Sequence, residues 1–528
     1  VSTGGTRSRW LLGWGILVFW LGTVGWQVRR EYFQPEMARL AEAAVAALGA
    51  EAHFYRMSLD DQTIGLASSR LDTIPDGFLL EDRLSLELPA LGQTGTASAV
   101  TRVTLAPDLR TRSFSFFLDS QGGRFEAEGI IEGDTLLRVT VNSAGDTRET
   151  EFRLSEPPVL ASIVPIRVAL TEGLEVGTRL DFPVFDPSTL STRAVEVEVL
   201  ARDTLVVPDS AAVDPSTGRW VAAGLDTIPV WHLAERFGGV QVESWIDDGG
   251  RVGRSSSVMG FSMERTTFEL VDQEETTVAA GGRRNAPDLI LNTAIASNVD
   301  LGTATQHREL RFVLRGVDLS GFELDGGRQE LRGDTLIIRR ENLGDVDAGY
   351  TLPYRSMDLR AALEPEPLIQ SDHPRIQEEA RRAIGRVWRP DPTEIAERLN
   401  RWVHQKLDKS VAFSVPSALA VLESGEGDCN EHTVLYVALA RAQGLPARIA
   451  VGLVYLDGVF FYHAWPEVWL GEWVAMDPTF GEAPASAAHI RFVTGGLAQQ
   501  VEILRLLGRL QIEVVVPSTT TTTGEADD

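Results

Sequence analysis

A chain of 528 residues with a single cysteine, Cys429, cannot be stapled together. No disulfide forms within it and no Cys-based zinc cluster can brace it, so its folded state must rest on hydrophobic cores. One core does not serve a chain of this length, and several domains are expected. An apolar fraction of 43% and a charged fraction of 23% belong to globular protein rather than to a disordered one. There are 75 acidic residues against 49 basic ones, for a net charge of −26. A surface of that sign argues against nucleic acid as a partner and favours solubility.

Trp10–Val28 runs for 19 residues without a charge, between Arg7 and Arg9 on one side and Arg29 and Arg30 on the other. A helix of that length spans about 28 Å, close to the hydrocarbon thickness of a bilayer. Trp10 and Trp26 fall near its ends, where interfacial indoles are favoured. A cleaved signal peptide is the competing reading. No small-residue cleavage site follows the apolar run directly, so a retained anchor is expected. Arginines on both flanks leave the orientation open, and the acidic bulk of the chain favours an extracytoplasmic domain with a short inside tail.

The expected class is α+β and multidomain. Residues 1–30 form the anchor with its tail, and 31–53 a helical connector. From 54 to 278 short alternating runs separated by Gly, Asp and Pro predict a large antiparallel β domain, with strands at Ser113–Leu118, Gly129–Val141, Ala194–Val207 and Gly239–Ile246. Ala279–Ala286 reads as a linker, and 287–360 as a small β-sandwich. Helical periodicity returns at Pro374–Trp388 and Pro392–Leu407, the latter opened by Asp391 as N-cap and Pro392 at the first helical position. The domain of 370–516 is followed by a disordered tail, 517–528, with five consecutive threonines.

Within that last domain Gly427-Asp428-Cys429 precedes a helical run that Gly444 and Pro446 terminate. Cys429 would then occupy a helix N-terminus, where unpaired N–H groups and the dipole favour thiolate. A lone cysteine is otherwise a small buried hydrophobe. Three strands follow, Ala447–Tyr455, Val459–Leu470 and Trp473–Met476, with His463 on the second and Asp477 at the end of the third. A nucleophile, a base and an acid that orients the base would share one site. Taken singly, a strand histidine and an Asp-Pro turn are structural features. The triad needs His463 and Asp477 on one face of the sheet, and side chains alternate along strands. A three-residue loop from Leu470 to Glu472, with Trp469 opposite Trp473, is therefore predicted.

Gly427-Asp428-Cys429, His463-Ala464-Trp465-Pro466-Glu467-Val468-Trp469 and Trp473-Val474-Ala475-Met476-Asp477-Pro478-Thr479 resemble the motifs of the transglutaminase-like superfamily, which has a papain-like fold. Gly444-Leu445-Pro446-Ala447-Arg448 resembles that family's link from the cysteine helix to the sheet. The resemblance covers roughly 370–490. It implies that Cys429 is the nucleophile, His463 the general base and acid, and Asp477 the residue that holds the imidazole. The substrate implied is a peptide or protein carbonyl or carboxamide, with water favoured over an amine as acyl acceptor. A catalytically silent envelope scaffold that works through its β domains is the alternative. Neither a cofactor nor a metal is expected: no phosphate-binding glycine loop occurs, and the adjacent Glu431 and His432 do not share a helix face. Trp465, Trp469 and Trp473 would line an acyl groove or pack the sheet.

Overall fold

The computed structural model describes residues 40–515, apart from 42–43, 46, 91–92, 134, 238–239, 280–292, 387–390, 412–413 and 507. The expected membrane span, most of the expected linker and the threonine tail lie outside the described residues. Among those described, no helix is long and apolar enough to cross a membrane. Strand makes up 48% and helix 19%.

Fourteen antiparallel strands form one sheet. Eight run as successive hairpins from Glu51–Leu59 to the edge strand Asp146–Arg153, and six from the other edge strand, Arg179–Asp186, to Phe261–Thr266. The two series join where Glu51–Leu59 pairs with Phe261–Thr266, Phe54 facing Thr266 and Leu59 facing Phe261. Alternation decides the faces: in Leu136–Ser143 every second residue is buried, as expected of a sheet with one face packed and one solvated. The single strand expected over Gly129–Val141 is in fact two. Gly123–Glu132 ends at Gly133, whose φ of 64° makes the turn into Leu136–Ser143.

The segment between the two edges packs against the buried face. Its short helix Val164–Ala169 sets Val164, Ile166 and Val168 among Phe78, Val103, Phe114 and Val197. Gly250 permits this approach, because a Cβ there would lie 2.3 Å from the Ile166 Cα.

The second body carries the site. Four helices, Pro374–Ile384, Pro392–Lys406, Ala418–Ser424 and Cys429–Ala442, pack with a five-stranded sheet. Asp391 caps the second of these helices as the sequence predicts, accepting from the N–H groups of Thr393 and Glu394. In the sheet Val459–Trp469 lies between Ile295–Ala296 and Ala447–Leu456, and His489–Thr494 flanks the latter. Trp473–Ala475 pairs with the end of Val459–Trp469.

The small β-sandwich expected over 287–360 is not a separate unit. Its strands Glu309–Arg315, Gln329–Arg332 and Thr335–Arg339 form one sheet with Gln511–Val514, from the far end of the chain. Three short strands cannot bury two faces alone, and these share the core of the five-stranded sheet, with Phe312 edge-on to Phe460 at 5.9 Å. The large sheet meets this body at its edge, through a buried Ser143–Ser417 hydroxyl pair at 2.8 Å and an Arg148–Asp372 ion pair at 2.7 Å.

Candidate active site

The run Gly427-Asp428-Cys429 is a helix start built from both sides. Asp428 accepts from the Asn430 N–H at 2.8 Å, and Glu431 reaches back to the Asp428 N–H at 3.0 Å, a reciprocal capping box. Ser414 donates to the other Glu431 oxygen at 2.7 Å. Gly427 leaves the room this needs, since a Cβ there would lie 2.3 Å from that of Glu431. Glu431 is thus part of the cap. His432 donates through Nδ1 to the Asp428 carbonyl at 2.7 Å, which leaves its buried Nε2 without a partner.

Cys429 opens the helix and is half-buried. Its thiol pKa is pushed up, first by burial and then by the charge of Asp428, with smaller contributions from Glu431 and Asp477. A hydrogen bond to the sulfur from the Ala464 N–H, next to His463, opposes them. The expectation that the helix end would favour thiolate is therefore corrected. Burial of the sulfur, and then the acids of the helix cap beside it, oppose the helix dipole.

The hairpin after the histidine strand has the three-residue loop that the triad argument requires: Trp469 faces Trp473, and Glu467 faces Ala475. Asp477 follows in register, held by the reciprocal pair Asp477 N–H to Glu482 and Glu482 N–H to Asp477. His463 Nε2 then lies 2.8 Å from Asp477 Oδ2. The structure adds a residue the sequence reading missed. His489 Nε2 lies 2.9 Å from the same oxygen, while its Nδ1 faces the Ser486 hydroxyl at 3.1 Å. Oδ1 accepts from the Phe480 N–H at 3.0 Å. Burial alone would raise the Asp477 pKa, but the two imidazoles hold it far below the usual carboxylate range. The ligand atoms of His463, Asp477 and His489 are near enough to hold a metal ion. With both nitrogens at 2.8 and 2.9 Å from one oxygen, the distances are those of hydrogen bonds.

Gly452 brings His489 there. It lies opposite His463 on one side, and on the other its pairing with His489–Thr494 is broken by a bulge. A Cβ at Gly452 would sit 1.8 Å from the Ile490 carbonyl, so only glycine lets that strand come so close.

Beneath the site Glu467, 1% exposed, is held by Arg448 at 2.6 Å and Arg491 at 3.0 Å, tying the histidine strand to Ala447–Leu456 and to His489–Thr494. Trp465 is fully buried with Ala450, Ala475 and Ala485 and stacks on His463. It packs the sheet. Trp469 and Trp473 keep some exposure and meet edge-on at 5.5 Å.

Residues 382–478 match the family model described as Transglutaminase-like superfamily. That segment is therefore transglutaminase-like. No curated protein matches the chain. Among solved structures the chain is similar to a candidate cysteine protease from Cytophaga hutchinsonii, at 16% identity over 39% of this chain and 83% of that one, with a TM-score of 0.27. It is also similar to a β-barrel-like protein, of a domain of unknown function, from Brucella abortus: 14% identity over 42% and 95%, TM-score 0.31. A third is the periplasmic domain of TgpA from Pseudomonas aeruginosa, at 19% identity over 34% and 74%, TM-score 0.23.

Proposed function

We propose that the chain is a cysteine acyl hydrolase, anchored in a membrane by residues 10–28 with residues 31–528 outside the cytoplasm, and acting on peptide or carboxamide bonds. The observation that carries the reading is the buried His463–Asp477 pair, on the strand whose Ala464 N–H bonds the Cys429 sulfur. Because Cys429 rests as a thiol, its proton must leave during attack. His463 takes it as the sulfur adds to the substrate carbonyl, and the resulting imidazolium is stabilised by ionised Asp477. The oxyanion faces the Cys429 N–H at the helix start. His463 then protonates the leaving amine, which gives a Cys429 thioester. Water attacks that thioester with His463 again as base, releasing the acid and restoring the thiol. Water is the acceptor of any site that does not exclude it, and nothing beside the triad marks a channel for lysine.

The test has three arms. Iodoacetamide should label Cys429 in the wild type and far less in His463→Ala; equal labelling would favour a silent scaffold. With a glutamine peptide and a labelled primary amine, ammonia release without amine incorporation supports hydrolysis, and incorporation without deamidation overturns it. Protease added to intact spheroplasts should remove most of the chain; release of a soluble protein cleaved near residue 30 would overturn the anchor.

A further inference from the structure

A second site lies in the large sheet, away from the thiol. Between the buried face of the sheet and the helix Val164–Ala169 are two adjoining cavities of about 460 and 440 Å3, each of a size that holds a small organic ligand. They share the walls Asp82, Thr101, Phe116, Ala161, Ser162 and Glu235. Sheet register explains part of this wall: Ser69, Asp82, Thr101 and Phe116 face one another in turn across four strands. Most of the remaining lining is apolar, with Leu71, Leu80 and Met263 in one cavity and Val184, Phe185 and Phe237 in the other.

The charges at these walls are unevenly matched. Arg251 is engaged by Glu51 at 2.6 Å and Asp247 at 3.3 Å, and Arg83 by Glu81 at 2.7 Å. Arg193 donates to the Ala498 carbonyl at 3.1 Å. Two of the carboxyls, Asp82 and Glu235, have no such partner. Asp82 is bonded only by the hydroxyls of Ser69 and Ser162, and Glu235 by that of Ser244 at 2.6 Å. Among the described residues neither forms an ion pair. Two acids walled into an apolar cavity without a cation are complementary to a ligand that supplies one.

We infer that the cavity pair binds a cationic amphiphile, its ammonium or guanidinium head between Asp82 and Glu235 and its apolar chain along the two lobes. The inference does not depend on the acyl-transfer reading. It is tested by equilibrium dialysis of the full chain against dodecylammonium, dodecanol and dodecanoate. The wild type should bind dodecylammonium at one equivalent and at least about tenfold more tightly than dodecanol, since a charge-assisted bond contributes that much or more. Asp82→Asn with Glu235→Gln should remove this preference, and Ala67→Trp, which fills one lobe, should weaken all binding. Partition into an apolar N-terminal segment is common to every variant and cancels. Equal affinity for the alcohol, tighter binding of the carboxylate, or unchanged binding by both variants would overturn the inference. The head-group series on the wild type decides the matter even if a variant fails to fold.

Discussion

Asp477 is fully buried and Asp82 half-buried in a cavity wall, and their surroundings treat them in opposite ways. Asp477 receives two imidazoles and a backbone N–H, and its pKa falls far below the usual range. Asp82 receives two hydroxyls, and burial pushes its pKa up. Glu467 and Glu235 repeat the contrast, the first held by two guanidiniums and the second by one serine. In the transglutaminase-like core Asp477 is held in its charged form by two imidazoles, and Glu467 is fixed between two guanidiniums. In the large sheet Asp82 and Glu235 have no cation beside them among the described residues and keep their capacity for one. Completed polar networks mark a place for chemistry, and incomplete ones a place for a ligand.

The comparison breaks first if the core is not a reaction centre. Cys429→Ala should abolish thioester formation and turnover, and His463→Ala should lower turnover by about 10^4-fold, near the loss seen when one member of a catalytic unit is removed. Mass spectrometry for an acyl group on Cys429, together with the hydrolysis rate, reads both. Turnover that survives in Cys429→Ala would remove the site from the reaction.

Next in size is the cost of leaving a core acid without its cation. Arg491→Met strips Glu467 of one guanidinium in a place where both side chains are buried. We expect a loss of roughly 3 kcal/mol in a urea titration, as for other broken buried pairs. Arg448→Met should cost less, because that side chain is 27% exposed. Equal losses would mean that burial does not set the strength of these contacts.

How much of this contrast was legible in the sequence depends on the range of the interaction. The helix start at Cys429, the Asp391 cap and the Trp469–Trp473 loop are set by residues within a few positions of one another and were readable, whereas the capping role of Glu431 was not read. Strands in the large sheet showed themselves by alternation, but the pairing of Glu51–Leu59 with Phe261–Thr266 joins segments some 200 residues apart, which no local pattern encodes. His489 escaped for the same reason. Its strand reaches Asp477 only because Gly452 lacks a side chain and the register shifts there. The glycine within an otherwise apolar strand was the available signal. The small sandwich was misread because its fourth strand, Gln511–Val514, comes from the other end of the domain.

His489 sharpens the core side of the comparison. His489→Ala removes one of two imidazoles from Asp477 but leaves the bond to His463, so turnover should fall about 10- to 100-fold, as when outer partners of a site ligand are lost. His489→Gln, which can still donate to Asp477, should recover part of it. The pH dependence of folding is a second readout. The Asp477 pKa is lower in the folded chain than in the unfolded one, so its contribution is full above the ordinary carboxylate value of about 3.9 and is lost as pH falls from there toward the folded value. Asp477→Asn should flatten the acid limb of a stability–pH curve. An unchanged limb would mean that the imidazoles do not hold the charge.

The smallest effect is also the one that separates the two regions by sign. Asp82 and Glu235 have raised pKa values in the folded chain. The unfolded chain therefore ionises first as pH rises, and folding loses stability between the ordinary carboxylate values and the folded ones. At neutral pH the empty cavity thus carries a penalty that Asp82→Asn and Glu235→Gln relieve, since the amides fill nearly the same space without a charge to desolvate. We expect a gain on the order of 1 kcal/mol for the pair at pH 7, in the range of a partly compensated buried polar group. The gain should vanish at about pH 2, well below the ordinary carboxylate values, where both carboxyls are neutral in either state. Substituting the core acids should be destabilising at pH 7, so thermal melts of the two sets must move in opposite directions. If the cavity substitutions destabilise at pH 7 as Glu467→Gln does, Asp82 and Glu235 are satisfied structural acids and the contrast fails.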